Sequence, residues 1–248
     1  MSLGCAATLS ACGGGNGGKP GNAQPDQPAS TTQPASTPVA SPIPVIIDAE
    51  GDSTMWGYQL INGAYGQTPN NPPALLQQLL RNQFGTSAIS VENRAVPGAT
   101  LEDRIAGSVV YDKPFSVSIA QEPAKIVLLN FAINDSNPGN NESPALFQND
   151  LLEFIALAWA QGKIVVLEEP NPVTNPVYAN LATYSLVIDN VAQTMNVPLV
   201  KQYAYIQSLP NWQSMLTDGG HPNDALYAIK AQREADVIGP IVKSLLRN

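Results

Sequence analysis

From Pro44 onward the chain alternates short apolar runs with longer amphipathic stretches, the pattern of successive βαβ units and a parallel sheet. Candidate strands are 44–49, 88–92, 125–131, 163–168 and 197–201, and candidate helices are 72–84, 144–160, 176–195 and 223–246. The runs Lys125-Ile126-Val127-Leu128-Leu129-Asn130 and Lys163-Ile164-Val165-Val166-Leu167 are apolar through their middles, as strands covered on both faces must be. Pro72 and Pro73 suit a first helical turn, after which Leu75, Leu76, Leu79 and Leu80 form one stripe. Ser143-Pro144 supplies a cap and a first-turn proline to the next helix, whose Phe147, Leu151, Phe154 and Ile155 point to one side. The expected architecture is a three-layer α/β/α sandwich over residues 44–248, built on a central, mostly parallel five-stranded sheet. In such open sheets, sites lie beyond the carboxyl ends of the strands.

Composition separates this region from what precedes it. Residues 13–43 are built mainly from Gly, Pro, Ser, Thr, Ala, Asn and Gln, with Lys19 and Asp26 the only charges and no apolar face, so a disordered tether is expected. Ahead of it, Leu9-Ser10-Ala11-Cys12 followed by Gly13 resembles the lipobox of bacterial lipoproteins. The segment 1–12 is short for an apolar signal core and has no basic residue, which fits a truncated leader; a plain low-complexity leader is the alternative. The expected destination is an exported protein, periplasmic or tethered to the outer membrane through a lipid anchor at Cys12, or otherwise secreted. Cys5 and Cys12 are the only cysteines, so the folded part has neither a disulfide nor a thiol nucleophile. A net charge of −8 argues against nucleic acid and anionic membranes as partners. No apolar stretch is long enough for a spanning helix. A monomer is expected.

Two stretches carry chemistry. The strand at 44–49 runs into Gly51-Asp52-Ser53-Thr54, which places Ser53 in a turn at a strand end, where a nucleophile can project. Downstream, Asp218-Gly219-Gly220-His221-Pro222 holds the only histidine of the chain. A turn through the two glycines can fold the Asp218 carboxylate onto the His221 ring, leaving the far ring nitrogen to accept the Ser53 proton. Taken singly, each stretch reads equally well as an ordinary turn or helix entry.

Their combination and order resemble the SGNH (GDSL-like) hydrolase family. The Gly-Asp-Ser block after the first strand is matched by Gly51-Asp52-Ser53, and the glycine after the second by Gly98 in Asn93-Arg94-Ala95-Val96-Pro97-Gly98-Ala99-Thr100. The Gly-x-Asn-Asp block is matched by Ala132-Ile133-Asn134-Asp135, and the Asp-x-x-His block by Asp218 to His221. The resemblance implies a flavodoxin-like SGNH hydrolase fold, a Ser53-His221-Asp218 catalytic triad, and an oxyanion hole formed by the Ser53 N–H, the Gly98 N–H and the Asn134 amide. Thr54 stands where Leu is common and Ala132 where Gly is usual. If Ala132 follows a glycine's positive-φ conformation, its methyl group makes that conformation strained.

Other groups read differently. Glu168-Glu169 at the fourth strand's end is expected to be solvated, and adjacent strand residues point oppositely, so the two do not form a glycosidase pair. Trp56, Tyr58, Tyr65, Trp212 and Met215 are candidate pocket walls, and the loops 62–73 and 134–144 candidate rims. No metal cluster, dinucleotide fingerprint or phosphate loop is present, so no cofactor and no metal are expected. The function expected is a serine esterase acting on a small-molecule or carbohydrate ester, short-acyl and possibly an acetylated carbohydrate. The alternatives are a catalytically silent, tethered carbohydrate-binding module and an acyltransferase or lysophospholipase using the same site.

Overall fold

The computed structural model describes Gly15, residues 44–108 and residues 110–247. The leader at 1–12 with Cys12, and the tether at 13–43 apart from Gly15, lie outside the described residues. All elements below belong to the unit Ser41–Asn248.

Five apolar runs pair as expected. They are β1 (Val45–Gly51), β4 (Ile89–Asn93), β5 (Ile126–Asn130), β6 (Ile164–Glu168) and β7 (Leu199–Val200), joined side by side in the order β4-β1-β5-β6-β7. Every pairing is parallel. Counting only these strands the order is 2-1-3-4-5, the flavodoxin-like arrangement, which reverses direction on either side of β1. The side-chain period of two explains why β5 is apolar throughout. Its Ile126 and Leu128 join one core, with Leu76, Leu80, Ile238 and Val242, while Val127 and Leu129 join the other, with Phe147, Phe154 and Ile188.

The helices that cover the first face are α2 (Pro72–Phe84) and α8 (Asp224–Leu245), and those that cover the second include α5 (Pro144–Ala160) and α6 (Leu181–Met195). Local signals set the ends of α2 and α5. Asn71 accepts the Ala74 N–H and Ser143 the Leu146 N–H, each just before a first-turn proline.

Four features depart from the sequence reading. The helix expected from residue 176 begins at Leu181, because Pro176–Tyr178 forms a separate 3-10 turn capped by Asn175. The loop expected at 62–73 opens instead with an antiparallel hairpin of β2 (Tyr58–Ile61) and β3 (Ala64–Gln67). Its turn is Asn62-Gly63, both at positive φ, a dipeptide that signals this hairpin geometry. Three short helices, α3 (Leu101–Ala106), α4 (Phe115–Gln121) and α7 (Tyr203–Ser208), fill connections to which the sequence pattern assigns no element. Finally, Glu168 and Glu169 are buried, not solvated. Glu168 accepts from Gln202 at 3.0 Å and lies 3.5 Å from Lys230 of α8, and Glu169 accepts the Tyr203 N–H at 2.8 Å. The segments following β7 cover this strand end, which the β6 sequence alone does not reveal. The two carboxylates do diverge, as strand geometry requires.

Candidate active site

Beyond the carboxyl end of β1 the chain turns directly into the one-turn helix α1 (Ser53–Trp56), with Ser53 its first residue. Gly51 is demanded by close approach: a β-carbon there would sit 2.6 Å from the Asn130 carbonyl oxygen and 2.7 Å from Met55 Cβ. Asp52 caps α1 by accepting the Thr54 N–H and hydroxyl, both at 2.8 Å, so its buried carboxylate is spent on the turn.

His221 arrives from the loop before α8. Its Nε2 lies 2.9 Å from Ser53 Oγ, and its Nδ1 lies 2.7 Å from Asp218 Oδ2. The other Asp218 oxygen accepts the N–H groups of His221 at 2.8 Å and Gly220 at 3.0 Å. Burial pushes this carboxyl up, but the N–H donors and the ring outweigh it and hold Asp218 below its ordinary range. With Nδ1 donating to Asp218, Nε2 is left as an acceptor facing Ser53. Further bonds anchor the loop: Asn171 donates to the Gly220 carbonyl at 3.0 Å, and the Thr217 N–H donates to the His221 carbonyl at 2.8 Å.

The opposite wall comes from two loops. Gly98 sits at φ +86° with open space where a side chain would stand, and neither its N–H nor that of Ser53 has a partner among the described residues. Asn134 follows β5, and its amide donates one hydrogen to the Ala99 carbonyl at 2.9 Å, which leaves the second free. Ala132 takes φ +120°, so the methyl does follow the expected glycine conformation into the strained region.

These groups border a cleft of about 320 Å³. Of the aromatic residues expected as walls, Tyr58 alone lines it, with its ring edge-on to His221 at 4.9 Å. Tyr65 stacks on the Tyr58 ring at 5.2 Å, while Trp212 and Met215 pack against the Ile206, Leu216 and Leu226 cluster and Trp56 against the β1 core. Sequence reasoning missed Pro97, Ile133 and Tyr178, which complete the lining. Pro97 and Ile133 were visible as neighbours of Gly98 and Asn134; Tyr178 carried no such signal. The hairpin bearing Tyr58 is clamped to the start of α8, where the Asp224 carboxylate accepts from Gln59 at 2.7 Å, Thr68 at 2.8 Å and Asn70 at 2.6 Å. No group of three or more His, Cys, Asp or Glu side chains among the described residues is arranged to hold a metal ion.

Residues 49–229 match the sequence model of the GDSL-like Lipase/Acylhydrolase family. The chain belongs to this family. As a GDSL-like acylhydrolase it is a carboxylic ester hydrolase, and the matched segment contains every residue described in the cleft. Solved structures share the fold. A lipase/acylhydrolase from Enterococcus faecalis superposes with a TM-score of 0.62 at 22% identity, covering 79% of this chain and 96% of its own. An aryl esterase from M. smegmatis gives 0.63 at 15% identity, covering 81% and 99%. An acetylxylan esterase from Geobacillus stearothermophilus gives 0.62 at 20% identity, covering 80% and 97%. No curated protein sequence matches the chain.

Proposed function

We propose that this GDSL-like hydrolase is a serine esterase that removes short acyl groups, acetyl above all, from carbohydrate alcohols. The observation that carries the reading is the continuous relay from Ser53 through His221 to Asp218, at 2.9 and 2.7 Å. Ser53 Oγ attacks the ester carbonyl carbon as its proton passes to His221 Nε2, and Asp218 stabilises the imidazolium that results. The oxyanion meets the Ser53 and Gly98 N–H groups and the free amide hydrogen of Asn134. Collapse expels the alcohol, which takes the proton from His221. Water then attacks the acyl-enzyme with His221 as base, releasing the carboxylic acid and restoring the Ser53 hydroxyl.

Cleft size supports the short acyl group. At about 320 Å³ it lies near the low end of ligand sites, which run from roughly 300 to 1,000 Å³. Tyr58 and Tyr178 give it aromatic walls suited to the C–H faces of a sugar ring. The likeness to an acetylxylan esterase points the same way.

A fluorophosphonate tests the nucleophile. Mass spectrometry should locate one adduct on Ser53 in the wild type and none in Ser53→Ala. A wild type left unlabelled would overturn the catalytic reading in favour of a silent binding module. In a series of sugar esters, kcat/KM should fall as the acyl chain lengthens beyond acetyl; a rising trend would overturn the substrate assignment.

A further inference from the structure

Behind the oxyanion wall, two acidic side chains meet where the sequence offered only the fourth letter of a motif and a loop residue. Asp135 is fully buried, and both its oxygens are engaged by backbone. Oδ1 accepts the Leu101 N–H at 2.7 Å, and Oδ2 accepts the Ala132 N–H at 2.8 Å. Leu101 lies three residues beyond Gly98, and Ala132 two residues before Asn134. One carboxylate therefore spans the two loops that carry the oxyanion donors other than Ser53. It also holds the Ala132 N–H, the donor fixed in the strained positive-φ backbone.

The second acid is Glu142, in the segment leading to α5. Its carboxyl is buried, neither oxygen has a hydrogen-bond donor among the described residues, and it lies within hydrogen-bonding reach of Asp135. Two carboxyl groups in such contact repel unless one proton lies between them. The two backbone donors on Asp135 favour the charge there, so the proton resides on Glu142, within hydrogen-bonding reach of both Asp135 and Asp150 of α5.

We propose that Asp135 is the positioning residue of the oxyanion hole, tying the Gly98 loop to the Asn134 loop, and that a protonated Glu142 keeps it in place. The role rests on the esterase reading above. Burial, the leading cause for both, raises Asp135 to about 7 and Glu142 to about 9. The charged groups facing the pair are acids as well: Asp52 from the nucleophile turn, Glu102 from α3 and Asp150 from α5. Tyr184 of α6 is a further titratable neighbour, and its phenol donates to the Glu142 carbonyl. The pair thus holds one shared proton between about pH 7 and about pH 9, and above that range two negative charges repel within the β5–α5 connection and displace Asp135 from the two N–H groups it holds.

The test compares kcat and KM from pH 6 to 10 for the wild type, Glu142→Gln, Glu142→Ala and Asp135→Asn. Asp135→Asn meets one backbone N–H with an amide N–H, so kcat should drop on the order of 100-fold, as for loss of an oxyanion donor, with KM little moved. Wild-type kcat should decline above about pH 9, and Glu142→Gln, which donates at every pH, should abolish that decline. Glu142→Ala should lower kcat at neutral pH. Wild-type kcat in Asp135→Asn, or an unchanged alkaline decline in Glu142→Gln, overturns the proposal. If Asp135→Asn does not fold, the two Glu142 variants decide. If the wild type hydrolyses no ester, the esterase reading fails on its own; the pair is then read from thermal unfolding. There, the wild type should lose stability above about pH 9 and Glu142→Gln should not, and parallel curves would overturn it.

Discussion

Asp218 and Asp135 stand on opposite sides of one cleft, each accepts two backbone N–H groups, and the protein shifts them in opposite directions. Asp218 lies near the surface beside an imidazole and is held below its ordinary range. Asp135 is wholly buried beside another acid and is raised to about 7. Backbone donors therefore do not decide the matter by themselves. What differs is the neighbour and the access of water: Asp218 faces a ring that becomes positive in the proposed mechanism, whereas Asp135 faces neutral backbone donors and Glu142, which is proposed to keep a proton. In the proposed mechanism one half of the cleft meets a moving charge, and the other holds a fixed geometry.

The sharpest way to break this contrast is Asp218→Asn. The amide keeps the shape of the loop but holds His221 in the wrong tautomer, and kcat should fall on the order of 10,000-fold, well beyond the effect at Asp135. Equal losses at the two positions would mean that Asp218 also serves only geometry. Steady-state kinetics on one acetyl ester settles the comparison.

Stability against pH gives the next largest effect. Burial raises Asp48 and Glu169 to about 6, as it raises Asp135 to about 7. In each case the native state binds a proton that the unfolded chain has released above about pH 4. The stabilisation is therefore present at acid pH and drains away as pH rises through 6 and 7. The thermal midpoint should fall by several degrees between pH 5 and 8, at about 2–4 °C per kcal/mol for a chain of this size. Asp218 acts in the opposite sense, with stability lost as pH falls below about 4. A midpoint that climbs from pH 5 to 8 would contradict the burial of these acids.

The smallest effect concerns Ala132. Its positive-φ backbone carries strain of about 1–3 kcal/mol, which Ala132→Gly relieves, while burial of one methyl group worth about 0.8 kcal/mol is lost. Urea unfolding should show a net gain of about 1 kcal/mol, and a loss would place the strain elsewhere.

Much of this was legible along the chain wherever the cause was local. The ends of α2 and α5 follow from Asn71 and Ser143 with the prolines after them, and the Asp218–His221 pair from a three-residue spacing. The Asn62-Gly63 hairpin was equally local and was passed over as a loop. Glu168 and Glu169 were misread for a different reason: a strand end is solvated or buried according to what later segments lay over it, and here Gln202, Tyr203 and Lys230 do so.

The sequence by itself determined the alternation of elements, the caps, the use of one histidine and the order of the four blocks, because each depends on residues a few positions apart. Tertiary structure alone decided that Ser53 meets His221 across 168 positions, that Tyr58 and Tyr178 wall the cleft, and that Asp135 ties the Leu101 N–H to the Ala132 N–H. Hydrogen bonds and charges act over a few ångströms, and only the parallel sheet and its crossovers bring distant residues within that reach.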